Sequence, residues 1–226
     1  FKQDRAVVML ESKDYAIIDR NGNVISVLGK AEYINSIYEG MIRFGTGEKW
    51  GYFDLNGNKV LFGFDLARSF HEGKAFVEMN KDRYYINKEG KKIIDVEDNI
   101  AGSAFSEGLD RVWKKNENIP KDITGPKSPY LYGYINTKGE YVIHVQFPRL
   151  GRFAEGLCEA QKEIQGPYGY IDKTGKYVIE PQYYGTHQFY NGVACVQYKK
   201  SEKIDPWFPF WQLIDTKGNI IKRFDE

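Results

Sequence analysis

Apolar and polar residues alternate along most of this chain in short runs that stop at glycines. Ala75 and Val77, Cys158 and Ala160, and Ala194 and Val196 take every second place after a glycine-led turn. A period of two marks a strand with one face buried. No stretch carries a convincing helical period. The pattern therefore predicts an all-β chain of many short strands.

The turns between these runs repeat. One landmark is a glycine at Gly22, Gly57, Gly90, Gly139, Gly175 and Gly218. Three residues before each stands Asp19, Asp54, Asn87, Asn136, Asp172 or Asp215, and three after it Ile25, Val60, Ile93, Val142, Val178 or Ile221. Asp and Asn suit the first turn position because the side-chain oxygen accepts backbone N–H bonds, and glycine supplies the positive φ that closes a bulged hairpin. The second landmark is Phe-x-Glu-Gly: Phe70-His71-Glu72-Gly73, Phe105-Ser106-Glu107-Gly108 and Phe153-Ala154-Glu155-Gly156, with looser copies at Ile37-Tyr38-Glu39-Gly40 and Phe189-Tyr190-Asn191-Gly192. Together they define antiparallel meanders of three or four strands, each opening on a hairpin. One such unit cannot bury its apolar face alone, so neighbours must stack.

Trp50-Gly51-Tyr52-Phe53-Asp54, Tyr132-Gly133-Tyr134-Ile135-Asn136 and Tyr168-Gly169-Tyr170-Ile171-Asp172, with the Phe-x-Glu-Gly turns, resemble the WG (KWG) repeat family. The resemblance covers nearly the whole chain. It weakens where Tyr15-Ala16, Arg83-Tyr84 and Trp211-Gln212 replace the aromatic-Gly pair. It implies a bacterial β-repeat protein, expected outside the cytoplasm, and it implies little about chemistry.

The ends look complementary. Phe1 to Val8 reads as a degenerate Phe-x-Glu-Gly turn with its strand, and Trp211 to Ile221 reads as a hairpin without a closing strand. The expectation is one WG-repeat domain over 1–226, with five complete units plus one shared between the termini. That makes a six-unit β-propeller-like closed ring, since closure removes open sheet edges; the alternative is an open β-solenoid of hairpin repeats. The chain opens at Phe1 without an initiator Met or a charged-then-apolar leader, as either a processed protein or a trimmed piece would.

Function is expected where the repeat departs from itself. The turn glycines are 33 to 36 residues apart in three steps, but 49 apart from Gly90 to Gly139 and 43 from Gly175 to Gly218. The two insertions, about 114–131 and 199–210, fall at the same place in their units and should project from one rim. The candidate partner-binding residues are Trp113 and Tyr130 at the first, and Trp207, Phe208 and Phe210 at the second. Rigid aromatics dominate many interfaces; the competing reading is a local plug folded over the ring. Asp110 breaks the pattern differently, since its slot holds Ala6, Ile42, Ala75, Cys158 or Ala194 elsewhere. A carboxylate there needs a partner. Arg83 is one candidate, and a channel-facing ligand contact is the functional reading against an internal ion pair.

Composition narrows the classes. Among 226 residues, 32 are Lys or Arg and 31 are Asp or Glu, so no net field draws the chain to nucleic acid. No apolar stretch reaches the roughly 18 residues that span a bilayer, so no membrane insertion is expected. Cys158 and Cys195 lie two and three residues after their glycines, which points them to opposite faces and argues against a disulfide. Neither metal-ligand spacing nor a phosphate-cradling loop nor a nucleophile elbow occurs, so no cofactor, metal or catalytic residue is expected. The sequence thus reads as a non-catalytic scaffold binding a protein or peptide. A glycan-binding module that stacks aromatics on sugars is the alternative, with a carbohydrate-active enzyme third.

Overall fold

The computed structural model describes residues 1–97, 100–117, 130–198 and 210–224, and these contain strands and turns but no helix. They fall into two compact units, Phe1–Phe105 and Ser106–Glu226. Their strands pair into six antiparallel sheets, each following chain order.

In the first unit β1 (Ala6–Met9), β2 (Tyr15–Ile18) and β3 (Val24–Gly29) form a three-stranded sheet. β4 (Tyr33–Tyr38), β5 (Met41–Gly45), β6 (Trp50–Phe53) and β7 (Lys59–Phe64) form a four-stranded one. So do β8 (Leu66–Ala67), β9 (Ala75–Met79), β10 (Asp82–Ile86) and β11 (Lys92–Asp95), and β12 (Ala101–Gly102) follows. The second unit carries β13 (Leu109–Lys115), β14 (Tyr130–Asn136) and β15 (Tyr141–Phe147). Two complete four-stranded sheets come next: β16 (Arg149–Leu150), β17 (Cys158–Gln161), β18 (Tyr168–Ile171) and β19 (Tyr177–Tyr183), then β20 (Gly185–Thr186), β21 (Val193–Gln197), β22 (Trp211–Asp215) and β23 (Ile220–Arg223).

The hairpin that should open each unit instead closes each sheet. A four-stranded sheet runs from a short leading strand through the Phe-x-Glu-Gly turn to the hairpin, so the sequence repeat begins in the third strand of one sheet and ends in the second strand of the next. All six turn glycines adopt the expected left-handed conformation, with φ between 79° and 86°. Each donates its N–H to the Asp or Asn three residues earlier, at 2.9–3.2 Å. The Asp carboxylates accept backbone N–H bonds as well. In Asp19 and Asp215 the Asn23 and Asn219 side-chain amides lead in holding the acid below its usual range, and in Asp172 the Thr174 hydroxyl does so.

The Phe-x-Glu-Gly turns are two-residue hairpins with both central residues left-handed, as at Glu72 and Gly73, φ 49° and 73°. A left-handed Glu is uncommon, and its side chain shows what it does there. The Glu39 carboxylate accepts from the Glu72 and Gly73 N–H groups of the next turn, at 2.6 and 2.8 Å. Glu107 accepts from Gly156 N–H at 3.2 Å, and Glu155 from Gly192 N–H at 2.8 Å. Lys173 Nζ donates to the Glu107 carbonyl at 3.0 Å and pairs with its carboxylate, while Lys88 does the same for Glu39.

The core lies between consecutive sheets. Ile17 of β2 packs with Ile37, Ile42 and Phe44. Tyr52 packs with Phe70, Val77 and Ile86, Tyr134 with Leu150, Phe153 and Ala160, and Tyr170 with Phe189, Val196 and Ile214. The second aromatic of each aromatic-Gly-Tyr is the pivot. Tyr52, Tyr134 and Tyr170 are buried, and their hydroxyls donate to the carbonyls of Arg68, Gly151 and His187, just past the next sheet's leading strand, at 2.5, 2.6 and 2.8 Å. Their rings meet Phe70, Phe153 and Phe189 of the following turn at 4.8–4.9 Å. Each such hydrogen bond contributes about 1 kcal/mol and each ring pair a similar amount.

Glycine before that tyrosine is needed because the fourth strand passes directly over it. A Cβ at Gly51, Gly133 or Gly169 would lie 2.5, 2.4 or 2.3 Å from the carbonyl of Leu61, Ile143 or Ile179. The register of the hairpin shifts at these points. Gly169→Ala must push that strand away at a cost of about 3 kcal/mol, lowering the melting temperature by roughly 5–10 °C. Calorimetry of the variant checks this, and a Tm within about 1 °C of wild type contradicts it.

Candidate partner-binding strand ends

Both insertions leave the second unit from equivalent places, the connections from β13 to β14 and from β21 to β22. The first is shorter than 114–131, because the ladder continues into it: Lys114 pairs with Leu131 and Lys115 with Tyr130. The second is framed by Tyr198 N–H, which donates to the Phe210 carbonyl at 3.0 Å. Residues 118–129 and 199–209 lie outside the described residues, and Trp207 and Phe208 lie there with them.

Strand alternation decides what the first stem presents. Arg111, Trp113 and Lys115 share one face of β13, opposite Tyr134, Tyr132 and Tyr130 of β14. Trp113 and Tyr132 have ring centroids 6.4 Å apart at 41°. The Arg111 guanidinium stands 5.3 Å over the Tyr132 ring. Trp113 is half-buried, Tyr130 is 40% exposed, and Lys115 reaches solvent beside Glu117 at 3.7 Å. This end of the ladder is aromatic and basic. At the second stem Phe210 packs edge-on against Tyr198 at 5.9 Å, and Arg223 lies 5.2 Å over the Tyr198 ring.

The structure thus brings Trp113 and Tyr130 together on one face and gives Phe210 a stem position of its own. Asp110 sits on the other face of β13, across from Ile135, with no solvent exposure. Arg83 lies in the first unit, where its Nε donates to Glu78 at 2.8 Å. Tyr132, Lys115 and Arg111 escaped the sequence reading. The alternation that placed Trp113 would have found them had the strand been extended past Lys114.

A second polar cluster follows from the same alternation. Arg111 and Glu159 occupy equivalent places on β13 and β17. Arg111 Nη1 donates to the Leu150 carbonyl at 2.7 Å. The Glu159 carboxyl lies against Gly151, where a Cβ would come within 2.1 Å of it. Burial raises the Glu159 acid, Arg111 and His187 oppose that rise, and Glu159 Oε2 has no hydrogen-bond partner. Burial also pushes the adjacent Cys158 thiol up to about 12, so it is a poor nucleophile. Among the described residues no group of three His, Cys, Asp or Glu side chains is placed to hold a metal ion, and no helix is long and apolar enough to cross a membrane.

Sheets of sequential antiparallel strands, stacked by a recurring latch, define an all-β repeat protein of the β-propeller type. The chain carries three WG repeats: the family model described as "WG containing repeat" matches residues 50–81, 132–163 and 168–200. Each match starts at a third strand, as the aromatic-Gly-Tyr latch requires. Among solved structures the chain is similar to BamB from Moraxella catarrhalis, at 11% identity and TM-score 0.51, over 98% of this chain and 70% of that one. It is also similar to a eukaryotic initiation factor, at 9% identity and TM-score 0.50, over 99% and 74%. These likenesses concern the fold alone. Among curated proteins no sequence matches.

The raised Glu159 acid fixes a sign. The folded state holds this proton more tightly than the unfolded chain, so its contribution is present below the ordinary Glu range and is lost as pH rises through the elevated value. Glu159→Gln should therefore raise the melting temperature at pH 8 and leave it nearly unchanged at pH 4. A lower Tm at pH 8 would mean that Arg111 outweighs the burial.

Proposed function

We propose that this chain is a non-catalytic scaffold that binds a protein or peptide partner at the strand ends framing the two insertions, with the inserted loops presented on one rim of a single repeat domain. One observation supports the reading most: Trp113, Tyr130 and Tyr132, with Lys115, share one partly exposed face beside the first insertion. Aromatics with a basic neighbour, partly desolvated and held on a ladder, suit the centre of a protein interface. The hydrogen-bonded ladder beneath them limits the entropy lost on contact.

A glycan is the alternative ligand. The 41° tilt between Trp113 and Tyr132 suits an irregular peptide surface better than a flat sugar ring. A carboxylate pair for glycoside chemistry would need two acids facing one pocket, and Asp110 is turned away from this face.

The experiment is affinity capture from the native source, comparing the intact chain with Trp113→Ser and Tyr130→Ser variants and with one whose 199–210 loop is cut to the usual repeat length. The same protein should be retained by the intact chain and at least about tenfold less by each variant, with Tm falling by less than roughly 5 °C. Equal retention by all the variants contradicts the assignment. Capture that a free oligosaccharide competes away transfers it to the glycan reading.

A further inference from the structure

Two arginines of the first unit lie close together with no acid to balance them. Arg43 of β5 stands opposite Tyr52 of β6 and reaches with it toward the next sheet. Its Nη1 donates to the Ala67 carbonyl of β8 at 2.8 Å, and its guanidinium lies 4.7 Å over the Trp50 ring. The residue after Ala67 is Arg68, whose side chain makes no hydrogen bond or ion pair among the described residues. The acids nearest to it along the chain are occupied, Asp65 by Lys49 and Glu78 by Arg83. Arg43 and Arg68 each bury an Nε with no acceptor, yet both residues keep partial contact with solvent.

The second unit repeats this geometry with the charge balanced. Arg111 Nη1 donates to the Leu150 carbonyl of β16, and its guanidinium lies over Tyr132. Gly151 N–H donates to the Glu159 carbonyl at 2.8 Å, as Arg68 N–H does to the Phe76 carbonyl at 2.9 Å. Gly151 and Glu159 therefore stand where Arg68 and Phe76 stand. Beside Arg111 this places an acid, and the two side chains act on each other electrostatically. Beside Arg43 the acid is replaced by phenylalanine and the glycine by a second cation. Burial leads in holding the Arg43 guanidinium below its usual range and the Arg68 charge adds to it, against Tyr52 and Tyr38. Arginine keeps its proton even so, and two like charges partly withdrawn from water lack a counter-charge within the fold.

We propose that Arg43 and Arg68 form a binding site for a phosphate group, either the free ion or one carried on a small molecule. A phosphate brings about two negative charges near neutral pH, which match the two guanidiniums. Its several acceptor oxygens suit donors from two planar forks at once. The Ala67 carbonyl and the Trp50 ring hold Arg43 in place beforehand, so little side-chain freedom is lost there on binding. The site lies wholly in the first unit and does not depend on the proposed rim of the second.

The test follows the Trp50 indole N–H signal of the whole chain by NMR at pH 7.5, with Trp50→Phe to assign it. Inorganic phosphate is titrated against sodium chloride of matched ionic strength. Phosphate should shift the signal saturably with half-saturation below roughly 5 mM, and Arg68→Gln should raise that concentration at least about fivefold. The Arg68 side chain fastens nothing and opposes Arg43, so Arg68→Gln should not lower the Tm in phosphate-free buffer, and weaker binding is then not loss of fold. A parallel titration with glycerol 2-phosphate distinguishes the source. Comparable binding assigns the site to a phosphate ester, and binding of inorganic phosphate alone assigns it to the free ion. The proposal is overturned if phosphate produces no saturable shift, if chloride produces the same one, or if Arg68→Gln binds as tightly as wild type. A Tm lower by more than about 5 °C in Arg68→Gln overturns it equally, because Arg68 would then have its partner inside the fold.

Discussion

A buried tyrosine hydroxyl reaching one sheet ahead is the contact on which this architecture rests. A single meander exposes most of its apolar face and is marginal alone. Tyr52, Tyr134 and Tyr170 each tie their sheet to a carbonyl of the next and meet its Phe-x-Glu-Gly phenylalanine ring at a steep angle. On the surface the glutamates do the same with lighter contacts, reaching the N–H groups of the following turn. Because the sequence repeat straddles two sheets, every copy of the motif is both a strand and a fastener.

The motif's residues follow from that double task. Glycine before the tyrosine lets the hairpin backbone cross closely, which sets the ring at the depth where its hydroxyl meets the next sheet. Glutamate tolerates a left-handed backbone because two N–H groups of a neighbouring turn, as Glu39 shows, return the energy. Where the motif lapses the latch changes: Ile17 and Leu213 stand where tyrosine would, with Ala16 and Gln212 in the glycine place.

Much of this was legible in the residues. The six Asp/Asn-to-Gly turns have local causes, so they could be placed from sequence, and their φ values agree closely. The alternation after each Phe-x-Glu-Gly gave the buried slots, including that of Asp110. The phase of the sheets was not legible, because a two-residue leading strand such as Leu66–Ala67 is too short to carry a period. The candidate site was legible only in part. Insertion length revealed where Trp113 and Tyr130 lie, whereas the face they share with Tyr132 and Lys115 depends on how far the ladder runs. Glu159 carried no signal beyond its parity with Cys158, since its environment comes from Gly151 and Arg111, one segment and one sheet away.

The most direct measurement is amide hydrogen exchange by NMR at Gly73, Gly156 and Gly192, which sit on solvent-facing turns. Their N–H bonds to the glutamates of the preceding turns should make all three exchange far more slowly than open turn amides, and Glu155→Gln should speed exchange at Gly192 while leaving Gly73 unchanged. Wild-type exchange at the rate of an unstructured turn would contradict the account, since the glutamate contacts that join each turn to the next would then be missing.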